Sequence, residues 1–203
     1  MPGGRPRAFD RDAALDKALE LFWRQGYEGT TLSDLTQAMG INRPSLYAAF
    51  GNKEELFRKA FERYLAGPGA FATQALDLPR AVDVARALLY GAVKLTTGPE
   101  TPTGCLSVRC SQACGPEGEP ARQEAVTRRK ADEAAIRRRF ERARAEGDVP
   151  ADCDPADLAR FVVTVSDGIA VQAAGGATPG DLRRVADAAL RAWPTTAPRT
   201  TEP

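Results

Sequence analysis

Residues 31–53 carry helix starts and stops so closely spaced that only a set of short, tightly joined helices satisfies them. Thr31 is a good N-cap with Asp34 three positions on, the spacing of a capping box, just ahead of the apolar Leu35 and Met39. Gly40 supplies the left-handed backbone on which helices end, and Ile41 tucks back toward the first helix. Asn42 caps the next helix, with Pro44 in its first turn, where a missing N–H is harmless. Leu46 and Phe50, four apart, turn one side of this helix inward, and Asn52 with Glu55 opens another. Helices this short bury no core of their own, so something must brace them while one face stays free. That describes a helix-turn-helix presenting its second helix to the major groove of DNA.

The free face is expected to carry Arg43, Ser45, Tyr47 and Ala48. An ordinary buried helical hairpin is the alternative. Against it, no acidic residue lies between Asp34 and Glu54, whereas Arg43 and Lys53 do. Arg43 is the expected base reader, bidentate to guanine, with Pro44 on a thymine methyl and Ser45 on a base or phosphate. Thr31, Tyr47 and Lys53 are expected to fix register on phosphates, Lys53 from the positively polarised start of its helix. Ser33 and the capping Asn42 complete the candidate DNA-binding set.

The rest of the chain reads as all-α, with no strand run and no internal repeat. Leu15, Ala18, Leu19 and Phe22 recur at helical spacing, making the first helix a brace. Gly67-Pro68-Gly69 marks a boundary. The expected organisation is a basic arm over 1–9, bearing Arg5 and Arg7, then a three-helix DNA-binding domain over 10–66. A larger helical domain follows over 67–194, and a Pro/Thr-rich tail over 195–203. Further helices are expected near 80–97, 104–114, 119–146, 155–174 and 179–193.

Composition narrows the function classes. With 28 basic and 27 acidic residues the formal charge is only +1, so DNA affinity must come from local placement. There is no histidine, the commonest general base and metal ligand. No apolar run approaches the ~18 residues of a membrane span, and no signal-peptide pattern appears. Four cysteines without a secreted disulfide layout suit a reducing cytoplasm. Neither a cofactor nor a metal is expected, since the spacing of Cys105, Cys110, Cys114 and Cys153 lacks Cys-x-x-Cys pairs.

Residues 6–65 resemble the N-terminal domain of the tetracycline-repressor (TetR) family of bacterial transcription regulators. The pieces that carry the likeness are Leu21-Phe22, Gly26-Tyr27, Thr30-Thr31, Ala38-Met39-Gly40-Ile41, Ser45-Leu46-Tyr47 and Phe50-Gly51-Asn52-Lys53-Glu54-Glu55-Leu56. Ala48 and Ala49 depart from the bulkier residues frequent there, which shifts readout onto Arg43. The resemblance implies that 67–194 is a ligand-binding and dimerisation domain, giving a homodimer paired through its last two long helices and reading a palindromic operator. Leu158, Val162, Val165, Ile169, Leu182, Val185, Ala189 and Trp193 form the apolar stripes expected at that interface, or else the core of one chain. It also implies a small-molecule effector, unidentified, in a pocket walled by Leu88, Leu89, Val93, Leu106, Phe140, Phe161 and Val165, joined by Cys105 and Arg109.

The run from Gly104 to Cys114 holds three thiols. Cys105 is expected in a first helical turn, where the helix dipole lowers a thiol pKa, with Arg109 lying over it. Cys110 and Cys114, four apart, are the candidate resolving thiols. The Gly-Cys-Leu-x-Val opening resembles the segment of the reactive cysteine in electrophile-sensing members of the family, and also occurs in members with no redox role. Small-molecule and thiol control of a repressor both follow. Two other classes stay open: a thiol-dependent redox protein or enzyme, and an interaction protein without operator binding. The basic run Arg128-Arg129-Lys130 and Arg137-Arg138-Arg139 is interleaved with Glu124, Asp132, Glu133 and Glu141, so a solvated salt-bridged face is expected. Asp167, inside an apolar helix, awaits a ligand group, a partner across a dimer or water.

Overall fold

The computed structural model describes residues 9–112 and 115–195 and contains helices, with no strand among those residues. The expected arm (save Phe9), the tail beyond Thr195 and Cys114 lie outside the described residues. Among the described residues, no helix is long and apolar enough to cross a membrane.

The first four helices are α1 (Arg11–Gln25), α2 (Leu32–Met39), α3 (Arg43–Phe50) and α4 (Lys53–Ala66). Each start is capped by the side chain just before it. Asp10 accepts from the N–H groups of Asp12 and Ala13, and Asn42 from that of Ser45. Thr31 and Asn52 each form a reciprocal capping box, with Asp34 and Glu55. Gly40, at φ 68°, is left-handed as α2 requires to end there. α1 packs on α4 and α2, and one aromatic cluster fills the space between. Phe57 lies edge-on to Phe22 and to Tyr27 at 5.2 Å each, and Trp23 edge-on to Tyr64 at 4.8 Å. Outside this cluster, Arg63 of α4 clamps α1, donating to Asp16 at 2.8 and 2.9 Å and to Asp12 at 3.2 Å.

Six helices follow: α5 (Phe71–Ala75), α6 (Ala81–Thr97), α7 (Leu106–Ser111), α8 (Glu119–Ala145), α9 (Pro155–Ala174) and α10 (Pro179–Arg191). α6, α8, α9 and α10 pack together around Val84, Leu89, Phe140 and Ile169. α5 gave no sequence signal because a five-residue helix without a side-chain cap lacks both periodicity and punctuation. α7 stops at Ser111, short of the helix expected to reach 114. The aromatic core continues beyond residue 66, taking in Leu95, Leu106, Cys110, Ala121 and Ala125. A buried hydrogen bond joins the same regions, from Trp23 Nε1 to the Gly104 carbonyl at 2.9 Å.

The two long apolar stripes resolve into separate faces. Val162, Ile169, Leu182, Ala189 and Trp193 are buried within the single chain, Trp193 lying 5.3 Å from Phe140. These five are corrected from interface to internal core, because α6 and α8 already cover that side of the hairpin. Leu158 and Val165 are half-buried, and the outward apolar residues are Phe161, Val171 and Val185. Periodicity marks both faces as apolar but does not say which neighbour covers each.

The basic run on α8 also needs correcting. Arg128–Asp132 and Arg137–Glu141 are i, i+4 pairs at 3.0 and 3.1 Å, and Glu133 meets Arg160 at 2.6 Å. Arg139, however, is buried and donates through Nη2 to the carbonyls of Leu78 and Pro79 at 2.7 and 2.8 Å. Arg129 turns inward to pair with Asp167.

Candidate nucleic-acid interface and internal cavity

α3 rests on Leu46 and Phe50, both buried, and exposes Arg43, Pro44, Tyr47 and Ala48, with Ser45 half-buried. The Arg43 guanidinium donates to Ser33 Oγ at 3.1 Å, which ties the start of α3 to the first turn of α2. That one bond uses a single donor of the planar fork and leaves the others for a ligand. Tyr47 is 48% exposed, an unusual position for a large aromatic side chain. Thr31 is exposed, its Oγ1 donating to Asp34 Oδ2 at 2.7 Å. The Thr31 hydroxyl and N–H together hold the Asp34 carboxyl below its ordinary pKa. Lys53 lies over the Tyr27 ring, its Nζ 4.3 Å from the ring centroid. Partial burial pulls its pKa down, while Glu117 and Glu28 push it up.

The far end of α3 is held by two cations that the sequence did not reveal. Lys59 Nζ donates to the Phe50 carbonyl at 2.9 Å, and Arg11 Nη2 to the Ala49 carbonyl at 3.2 Å. They satisfy orphan carbonyls at a helix C-terminus and complement its negative dipole. Since they reach α3 from α4 and α1, no local spacing could have flagged them. The result is a two-turn helix fixed at both ends, with its outward side unclaimed among the described residues.

Behind this head lies a half-open cavity of about 140 Å³ lined by α4, α5, α6, α7, α8 and α9. Leu65, Leu88, Ala92, Leu95, Ile136 and Val162 supply apolar wall. Tyr64, Cys105, Ser107 and Ser166 supply polar atoms, and the pairs Arg129–Asp167 and Arg128–Asp132 close one side. Of the expected pocket residues, Leu88 and Cys105 line this space. Leu89, Val93, Leu106 and Phe140 are packed into solid core instead, Val165 is half-buried outside the lining, and Phe161 faces outward. Asp167 thus meets Arg129 at the cavity wall. Burial raises its carboxyl pKa, and the guanidinium partly offsets that.

The thiol expectations are overturned in their electrostatics. Cys105 is the residue before α7, and the N–H groups of Ser107 and Val108 do favour its thiolate. Burial outweighs them, so its pKa is raised. Its Sγ lies 3.1 Å from the Tyr64 hydroxyl, whose own pKa burial pushes well up. Arg109 does not lie over Cys105. Its stem runs beside Gly26, and its charge acts on Cys110. Cys110 is buried, its pKa pushed up to about 12, so as a resolving thiol it is inert at neutral pH. These shifts argue against thiolate catalysis at the cluster.

An all-helical fold that fixes a short solvent-facing helix behind a capped turn is the class of helix-turn-helix regulators. The comparisons with known proteins make this specific. The model for bacterial regulatory proteins of the tetR family matches residues 14–60, and that for the tetracyclin repressor-like C-terminal domain matches residues 81–188. This chain belongs to the TetR family. It is 36% identical over 193 residues to the HTH-type transcriptional repressor ComR of Escherichia coli (strain K12), covering 94% of this chain and 92% of ComR. Among solved structures it is similar to a cysteine mutant of the TetR family transcriptional regulator CifR complexed with 26-base-pair operator DNA. There the identity is 44% and the TM-score 0.89, covering 94% of this chain and all of the other. The reduced form of NemR from Escherichia coli shares the fold at 19% identity and a TM-score of 0.74, covering 92% of this chain and 97% of NemR.

Proposed function

We propose that this chain is a cytoplasmic, homodimeric transcriptional repressor that binds a palindromic operator through α3 and is released by occupancy of the internal cavity. The observation that carries this reading is the outward face of α3, fixed at both ends and free of acidic residues, with Arg43 at its start. Arg43 reads a base edge, with Pro44, Ser45 and Ala48 beside it in the groove. Thr31, Ser33, Asn42, Tyr47 and Lys53 hold phosphates and register. Full-length similarity to a named repressor and to a regulator bound to operator DNA supports this assignment.

The homodimer is supported by the exposed apolar residues Phe161 and Val171 on α9 and Val185 on α10. Gly168 on the same outward side has open space around its α-carbon, allowing close approach of a second helix. Two-fold pairing there separates the two α3 helices by one DNA turn, about 34–36 Å. Release requires that an effector bind one spacing of the heads better than the other, since equal affinity shifts nothing. The cavity touches the head through Tyr64 and Leu65, so occupancy there bears directly on α4. Cys105 is the one thiol in the lining among the described residues, and its modification fills the same space.

The test is to select bound fragments from genomic DNA with the purified full chain. An enriched palindrome with half-sites one turn apart is the expected result. Bound fragments with no shared motif would overturn the reading.

A further inference from the structure

We propose that the cavity takes a small uncharged organic molecule, one aromatic ring or its equivalent bearing a single hydroxyl, ether or carbonyl oxygen, with Phe71 setting the size limit. This deepens the proposed function by naming the effector class for its cavity.

Volume gives the size. A closed cavity of about 150 Å³ with apolar walls accommodates benzene, and this half-open one measures about 140 Å³. Charge gives the class. The two guanidinium groups at the wall already face two carboxylates, Arg129 with Asp167 and Arg128 with Asp132. A charged ligand would bring an extra charge into a wall that is already neutral, and desolvation makes that unfavourable. Hydrogen bonding gives the single oxygen. Arg128 Nε lies 3.0 Å from Asp132 Oδ1 and is shielded from solvent, so it is closed to a ligand. The hydroxyls of Ser107 and Ser166 line the space and, among the described residues, have no hydrogen-bond partner. A molecule with one oxygen in this corner and a ring against Leu88, Ala92 and Val162 satisfies both halves of the lining.

Phe71 and Leu95 line this cavity and also a neighbouring, equally open groove that includes Lys94 and Pro99. The Phe71 ring lies across Gly91, where any Cβ would run into it. Gly91 therefore allows the ring to approach α6 closely, where it borders both groove and cavity. Phe71 belongs to α5, a five-residue helix with no side-chain cap, so this border is carried by a weakly held element.

The test uses the full chain without DNA, so its outcome is independent of whether an operator exists. Four probes are titrated: benzyl alcohol, benzoate, benzylamine and 2-naphthol. Binding is read by thermal shift and by fluorescence of Trp23, which stacks edge-on on the cavity residue Tyr64, in a Trp193→Phe background. Benzyl alcohol is expected to bind saturably and about tenfold or more tightly than either charged probe. 2-Naphthol is expected to bind weakly to the parent chain and about tenfold more tightly to Phe71→Ala, whose groove and cavity are joined. Ala92→Phe, which fills the space, is expected to abolish benzyl alcohol binding. Should that variant fail to fold, the Phe71→Ala comparison still decides. Binding of benzoate or benzylamine as tight as that of benzyl alcohol would overturn the uncharged class. Equal binding of 2-naphthol to the parent chain and Phe71→Ala would overturn the role of Phe71. No binding of any probe would overturn the whole proposal while leaving the operator selection untouched.

Discussion

The head made by α1–α4 and the helices behind it are built on opposite packing principles. In the head, Phe22, Trp23, Tyr27, Phe57, Phe61 and Tyr64 interlock at centroid distances of 4.8–6.1 Å, and every helix start has a side-chain cap. Behind it, α5, α7 and α8 have no side-chain cap at their starts, α6 borrows one from the distant Asp148, α9 and α10 are capped locally, and the space among α5, α6, α8 and α9 is incompletely filled. A reading surface must hold its shape, whereas a core proposed to take an effector must have an unfilled state to lose. The contrast assigns rigidity to one and adaptability to the other.

The largest expected effect tests the rigid side. Phe57→Ala should cost about 3–5 kcal/mol, read by denaturant unfolding, because two edge contacts and a dense core are lost together. Leu88→Ala, at the cavity wall, should fall near the low end of the range for such truncations, about 2 kcal/mol. Equal losses in the two variants would erase the distinction between the regions. Arg43→Ala should leave stability alone and weaken operator binding by about 1–3 kcal/mol while relaxing one base position. Equal loss on operator and random DNA would instead make Arg43 a phosphate contact. Thr31→Ala, which removes half a capping box, should cost about 1 kcal/mol of thermal stability.

The pH profile sharpens the comparison from a different side. An unfolded thiol ionises at about pH 8.5, whereas Cys110 in the fold holds its proton up to about pH 12. The neutral form is therefore favoured by folding. Its contribution is fully present below the unfolded value and declines as pH rises from there toward 12. Unfolding curves from pH 8 to 11 should show a fall in stability that is smaller in Cys110→Ala. Tyr64 and Cys105 shift in the same direction, so some decline should persist in that variant.

The parts of the site that were legible beforehand are those written in local spacing. Thr31 with Asp34, Gly40, Asn42 and Asn52 with Glu55 specify α2, α3 and the start of α4 through contacts within four residues, and each has the cap foreseen. What was not legible depends on distant chain. Lys59 and Arg11 reach the end of α3 from other helices. The helix-dipole argument for Cys105 expected it in the first turn, whereas it is the residue before α7, and local spacing did not record the burial that overrides the N–H groups there.

By itself, then, the order of residues determined the all-helical class, the ends of the reading helix and its outward face, because helix period and capping act within one or two turns. Only the packed chain decided which face of α9 is core, that Asp167 meets Arg129, and that the space beside Cys105 is left open. Those outcomes depend on which side chains, far apart in sequence, compete for the same volume, and no local spacing records that competition.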